Sequence, residues 1–251
     1  MIRRIFVSFF MALLGATQVN ASEITVLTPS VTYNAGLRDL AAIFTKQTGT
    51  KVTVLRDPMA KMVDDSEKAM PPADVVMLPE GLMDALQKDG GVKTGSRTMI
   101  GRVEVGLAVR AGEPHPDIST VPKLIAVLKS ARAVMYSNPY HGSLEAEIID
   151  RLLKRPEFHD VHGEIGTKGE GGQSLARGQG DMALQIICEI YPYPEISLVG
   201  PLPPELNAHI DMVAAVSARS TNSDDAKAFV RFVTSAEAAP TWKAKGLDQL
   251  K

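Results

Sequence analysis

The chain has 251 residues, with 27 Lys and Arg against 29 Asp and Glu, 20 Gly, 16 Pro and a single Cys. Hydrophobic residues at 45% and charged residues at 22% are the proportions of a folded globular protein, which excludes the disordered, collagenous and multi-span membrane classes. A net charge of −2 gives no electrostatic reason to bind nucleic acid, and one cysteine excludes an intrachain disulfide or a multi-cysteine metal site.

The N-terminus reads as an address. Met1-Ile2-Arg3-Arg4 is a short basic region, the run from Ile5 to Ala16 is apolar, and Val19-Asn20-Ala21 places short residues at the cleavage positions before Ser22. The expectation is a secretory signal peptide over residues 1–21 and a periplasmic chain with no stable membrane insertion after cleavage. The apolar run falls short of the roughly 20 residues that a membrane span needs.

Strand and helix patterns alternate from there. Residues 23–28 (EITVLT) predict a strand, and Leu37, Leu40, Ala41 and Phe44 repeat on one helical face, with Gly49 as a stop. Residues 51–55 alternate at period two. A helix is expected at 60–69, a short buried strand at 73–78 and a helix at 80–88. The middle predicts strands at 103–109, 132–136, 182–187 and 197–199, with helices at 120–130, 144–154 and 173–177. The tail predicts a strand at 212–217 and helices at 223–234 and 236–245. This alternation implies an α/β fold with mainly parallel sheets.

In open α/β sheets, ligands sit beyond the carboxyl ends of strands, beside helix N-termini. Five such segments are polar: the loop with Ser30, Thr32 and Tyr33; Arg56 after the second strand; the loop with Ser137, Asn138, His141, Gly142 and Ser143; the glycine-rich turn with Gly172; and the end of the 182–187 strand with Gln185 and Glu189. A single Ser or Thr before a helix is usually only an N-cap. Several hydroxyl-rich strand-to-helix loops together point to an anionic ligand, held by hydroxyls, free N–H groups and the helix dipole. His159 and His162 flank Asp160 on what reads as a solvated turn, so no metal site is assigned, and no cofactor motif is found. Cys188 reads as a small buried hydrophobe.

The order of the segments Ile24–Thr28, Leu37–Ala41, Thr48–Val52, Pro72–Val76, Gly178–Ala183, Ala226–Phe232, Ser235–Ala238 and Lys245–Leu247 resembles the periplasmic molybdate-binding family of ABC-transporter solute receptors. The resemblance implies a two-lobed type 2 periplasmic-binding fold with two hinge crossings. Lobe 1 would be residues 22–101 plus 211–251, and lobe 2 residues 102–210. It also implies a monomer that hands its ligand to an ABC permease.

The sequence departs from that family at the site loops. Thr28-Pro29-Ser30 and Arg56-Asp57-Pro58 replace an Ala- and Ser-rich pattern, and Ile186 stands near the position of an expected tyrosine. A cation such as Arg56 or Lys61 suits carboxylates, which a guanidinium can pair in bidentate fashion. The expected ligand is therefore a small organic di- or tricarboxylate, with molybdate, tungstate or sulfate as the other class.

The chain also resembles a subgroup containing periplasmic aconitate isomerase. The alternative is thus an enzyme that moves a proton between carbons of a tricarboxylate, for which His141, Glu189 and Tyr33 are the candidate acid/base groups. As a receptor, the binding set is Ser30, Thr32, Arg56, Ser137, Asn138, Gly142, Ser143, Gly172 and Gln185.

Overall fold

The computed structural model describes residues 22–56, 72–141 and 143–250. The expected signal, the helix expected at 60–69, Lys61 and Gly142 lie outside the described residues. No helix among the described residues is long and apolar enough to cross a membrane.

Ten strands form one mixed sheet. At one side β1 (Glu23–Thr28) pairs in parallel with β2 (Lys51–Arg56) and with β3 (Val75–Pro79). At the other, β5 (Val134–Tyr136) pairs in parallel with β6 (Gly163–Ile165) and β7 (Met182–Ile186). Between them run two antiparallel strands, β4 (Thr98–Arg110) and β9 (His209–Val216), giving the order β2-β1-β3-β9-β4-β7-β5-β6. The first half of β4 pairs with β9 and with β10 (Leu247–Asp248). The second half pairs with β7 and with β8 (Ile196–Pro201). The Arg102 guanidinium grips both oxygens of Asp211, at 2.7 and 2.9 Å, where β4 and β9 meet.

Helices cover the sheet as the apolar spacing requires. Ser30–Thr32 runs into a π-helical turn, Tyr33–Leu37, and then into α1 (Arg38–Thr48). The chain bends there because Gly36 takes φ 119°, a conformation that favours glycine. Gly49 closes α1 in the left-handed region, as its position predicts. The next helices are α2 (Glu80–Lys88), α3 (Val121–Ser130, capped by Thr120) and α4 (Leu144–Leu153, capped by Ser143). They are followed by α5 (Gly171–Ala176), α6 (Ile187–Ile190), α7 (Ser223–Val233) and α8 (Ala239–Lys243). The main core cluster joins Ile24, Phe44 and Phe229 at one side of the sheet to Leu124, Ile149 and Phe158 at the other.

The structure departs from expectation in several places. The sheet is mixed where mainly parallel sheets were expected, because β9 and β4 run antiparallel to their neighbours through its middle. β10 is a further strand that the sequence reading lacks, formed by its ladder to β4. The strand expected at 103–109 begins at Thr98, because its added residues find partners on β9. The last helix shrinks to Ala239–Lys243, with Pro240 in its first turn. The sequence reading has no strand at β6, a three-residue stretch (GEI) whose only order comes from its ladder to β5.

Candidate functional site

The carboxyl ends of two oppositely running parallel groups, β1 with β2 and β5 with β6 and β7, open on one cavity of about 620 Å³. Each strand contributes through the turn that follows it. Ser30 and Asn34 come after β1, and Arg56 ends β2. Register sets Arg56 directly beside Thr28, which brings the guanidinium to the loop holding Ser30. Ser137, Asn138 and Ser143 follow β5; Gly166, Thr167, Gly169, Glu170 and Gln173 follow β6; Glu189, Pro192 and Tyr193 follow β7.

Of the residues expected from sequence, Ser30, Arg56, Ser137, Asn138, Ser143 and Glu189 share this cavity. Gly172 and Gln185 sit one layer behind it, joined by a 3.0 Å bond from the Gly172 N–H to Gln185 Oε1. Thr32 is buried and hydrogen-bonded to Thr28, away from the lining. Tyr33 lines a separate, shallow groove with Arg38, Lys46 and Lys51. Its ring lies 5.6 Å from the Arg38 guanidinium carbon and 5.5 Å from that of Arg56, so it forms the platform on which Arg56 rests. His141 lies in the turn Pro139–His141.

The hydroxyls are held by local structure. Ser143 Oγ accepts the Ala146 N–H as the cap of α4, which leaves its own proton to donate. Ser137 Oγ accepts the Gly171 N–H at 3.2 Å, and Asn138 Oδ1 accepts the Tyr140 N–H at 2.9 Å. Gln173 Nε2 donates to the Tyr193 hydroxyl and steadies the far wall.

The floor is acidic, which the sequence reading did not anticipate. Gln185 Nε2 donates towards Glu145, Glu170 and Glu189. Glu145 and Glu189 are buried, and burial first, then the charge of neighbouring glutamates, pushes both carboxyls well above the usual carboxylate range. Burial and the nearby Glu189 also raise the Cys188 thiol well above its ordinary value, so it is an unreactive thiol. Glu189 faces Gln185, and Arg102 is engaged by Asp211.

The sequence reading leaves Glu145, Thr167 and Tyr193 outside its site segments, and its glycine-rich turn contains Glu170 and Gln173 without assigning them a role. Glu145 reads as an ordinary first-turn acid behind an N-cap. Only the polar cluster Gln185-x-x-x-Glu189 in an apolar stretch hinted at an acid-binding floor.

Comparison with known proteins agrees with this architecture. The profile of the bacterial extracellular solute-binding protein family matches residues 24–248. An aconitate isomerase from a Pseudomonas species is 27% identical over 246 residues, covering 94% of this chain and 92% of the relative. The periplasmic molybdate-binding protein of Azotobacter vinelandii superposes with a TM-score of 0.71 at 17% identity, over 91% of this chain and all of that one. The sulfate-binding protein of Mycobacterium tuberculosis gives 0.69 at 19% identity, over 92% of this chain and 88% of that one. These last two likenesses establish the α/β fold of periplasmic binding proteins. With the profile spanning all ten strands, the chain belongs to the bacterial extracellular solute-binding protein family.

Proposed function

We propose that this solute-binding protein captures a small organic polycarboxylate between segments 22–101 plus 211–251 and segment 102–210, in the periplasm, as the receptor of an ABC-type importer. The observation that carries the reading is the meeting of Arg56 with the Ser30, Ser137 and Ser143 hydroxyls around one cavity. A guanidinium supplies a planar two-donor fork that matches a carboxylate, and hydroxyls supply further donors. Calorimetric titration with citrate, isocitrate, both aconitates, molybdate and sulfate tests it. Saturable binding of a carboxylate is the expected result, and binding of molybdate or sulfate alone would overturn it.

Arg56→Ala is expected to weaken carboxylate binding by about 10- to 150-fold, the range for losing a hydrogen bond to a charged group. Arg56→Lys should recover only part, because an ammonium lacks the fork. Tyr33→Ala should weaken binding by about two- to five-fold through loss of the platform under Arg56, whereas Tyr33→Phe keeps the ring and should stay near wild type. Equal affinities for Tyr33→Ala and Tyr33→Phe would remove the platform role.

A second reading is favoured by Glu189, a buried acid with a raised pKa that lines the cavity. Such a group suits proton transfer near neutral pH, and a relative at 27% identity is an aconitate isomerase. In that reading the cavity binds the same ligand class, and Glu189 moves a proton between its carbons. Nuclear magnetic resonance of cis-aconitate mixed with the protein decides: conversion to the trans isomer that is lost in Glu189→Gln supports it, and an unchanged spectrum excludes it.

A further inference from the structure

Three acids in the floor of an anion-binding cavity demand a physical account. Glu145, Glu170 and Glu189 each bring a carboxylate oxygen within 4.8 Å of the others. Between them sits Gln185 Nε2, 3.0 Å from Glu145, 3.3 Å from Glu170 and 2.8 Å from Glu189. The amide is pinned in that orientation, because its Oε1 accepts the Gly172 N–H at 3.0 Å and faces the Ser137 hydroxyl. An amide nitrogen has two hydrogens, and three carboxyl oxygens surround this one. Its two hydrogens reach two of those oxygens, and an amide nitrogen accepts no proton, so the third carboxyl escapes repulsion only where one carboxyl holds a proton and donates it to a neighbouring carboxyl oxygen.

A second observation points the same way. Glu145 is 2% exposed, and its Oε1 is buried with no hydrogen-bond partner among the described residues. An ionised carboxylate in that position would be desolvated with only the Gln185 amide and the Ser137 hydroxyl to offset its charge. No ion pair among the described residues involves Glu145, Glu170 or Glu189. Glu189 sits on α6, which packs on β4, β7, β8 and the Tyr33–Leu37 turn. The titratable groups described around it are Glu145, Glu170, the Cys188 thiol, the Tyr193 phenol, Tyr33 and, on the cavity wall, Arg56. A divalent cation is the other occupant that three carboxylates suggest, but the pinned amide nitrogen fills its place.

We propose that this cluster is a carboxylic-acid subsite. Glu145 and Glu189 hold protons at neutral pH, and the Glu189 carboxyl donates a hydrogen bond to one carboxylate of a bound polycarboxylate while Arg56 takes another. The ligand class rests on the reading in the preceding subsection; the protonation rests on the cluster alone. A polyanion can settle against a neutral acid and is repelled by an ionised one. Capture is therefore tied to a proton, and affinity falls about tenfold per pH unit once Glu189 ionises.

Two measurements test this. Infrared spectroscopy of the free protein near neutral pH is expected to show a protonated-carboxyl C=O band that diminishes in Glu145→Gln and in Glu189→Gln. A wild-type spectrum without that band overturns the proposal whatever the ligand. Calorimetric titration of tricarballylate, a saturated tricarboxylate, is then run across rising pH in EDTA and in buffers of different ionisation enthalpy. Wild type should bind without net proton uptake near neutral pH, take up a proton on binding and lose affinity at the alkaline end where free Glu189 is ionised, and Glu189→Gln should bind with nearly level affinity. Tight binding with no pH dependence overturns the subsite while leaving the carboxylate reading intact, as does binding that appears only when magnesium or calcium replaces EDTA. Binding of molybdate or sulfate with none of tricarballylate overturns both.

Discussion

Replacing Gly171 with alanine should abolish ligand capture and destabilise the protein by about 3 kcal/mol, the upper end for forcing a methyl group into a packed site. A Cβ there would lie 2.7 Å from Tyr136 Cα, 3.0 Å from the Leu184 carbonyl oxygen and 3.1 Å from that of Met135. All three are backbone atoms of β5 and β7, inner strands that cannot give way as a side chain does. The turn must move instead. It carries Glu170 and the Gly171 N–H that holds Ser137, so cavity wall and floor shift together. Gly172→Ala is the control. Its Cβ would meet the tip of Ile196 at 3.4 Å and, at ordinary contact distance, Gln185 Cγ and Oε1 at 3.7 and 3.8 Å, all side-chain atoms, so a loss under about 1 kcal/mol is expected. Thermal denaturation and calorimetry on both variants check the pair, and a Gly171→Ala protein with wild-type melting and affinity would show that the turn moves freely.

Trp242→Ala should produce the largest loss of stability, about 3–5 kcal/mol. The indole is fully buried in the main core cluster, and its Nε1 donates to the Val233 carbonyl at 2.7 Å, tying α8 to the end of α7. Truncation leaves a cavity that the surrounding helices and sheet fill only partly. The carbonyl itself keeps a second donor, Gln249 Nε2 at 3.1 Å, so most of the loss belongs to packing. Trp242→Phe, which retains the ring volume in part and removes the N–H, should therefore lose much less. Each kcal/mol lowers Tm by about 2–4 °C for a chain of this size. Equal destabilisation by both substitutions would assign the effect to the hydrogen bond.

Much of this architecture is legible in the residues themselves. Leu37, Leu40 and Phe44 repeat at helical spacing and are buried as that spacing requires. Residues 75–78 are apolar in succession and form a strand covered on both faces. The rule that ligands gather at the carboxyl ends of strands picks out Ser30, Arg56, Ser137, Asn138 and Glu189, which share one cavity. What stays hidden depends on distant partners. Glu145 stands two residues after the cap Ser143, where an acid ordinarily favours the helix dipole and faces water; Gln185, 40 residues further along the chain, brings it into the floor cluster. Tyr33 illustrates the opposite error. It lies in the loop after the first strand, but the π-helical turn directs it into the outer groove, under Arg56.

The continuity of β4 restricts how the molecule can change shape. Its thirteen residues join β9 and β10 at one end to β7 and β8 at the other without interruption. Whatever is anchored to opposite ends of one unbroken ribbon cannot shear apart; it can only flex or twist about that ribbon. The irregular steps in its ladders, between Met99 and Gly101 and between Leu107 and Ala108, are where such flexing meets least resistance. Any relative motion of the two sides of the sheet would then be a swing about that ribbon.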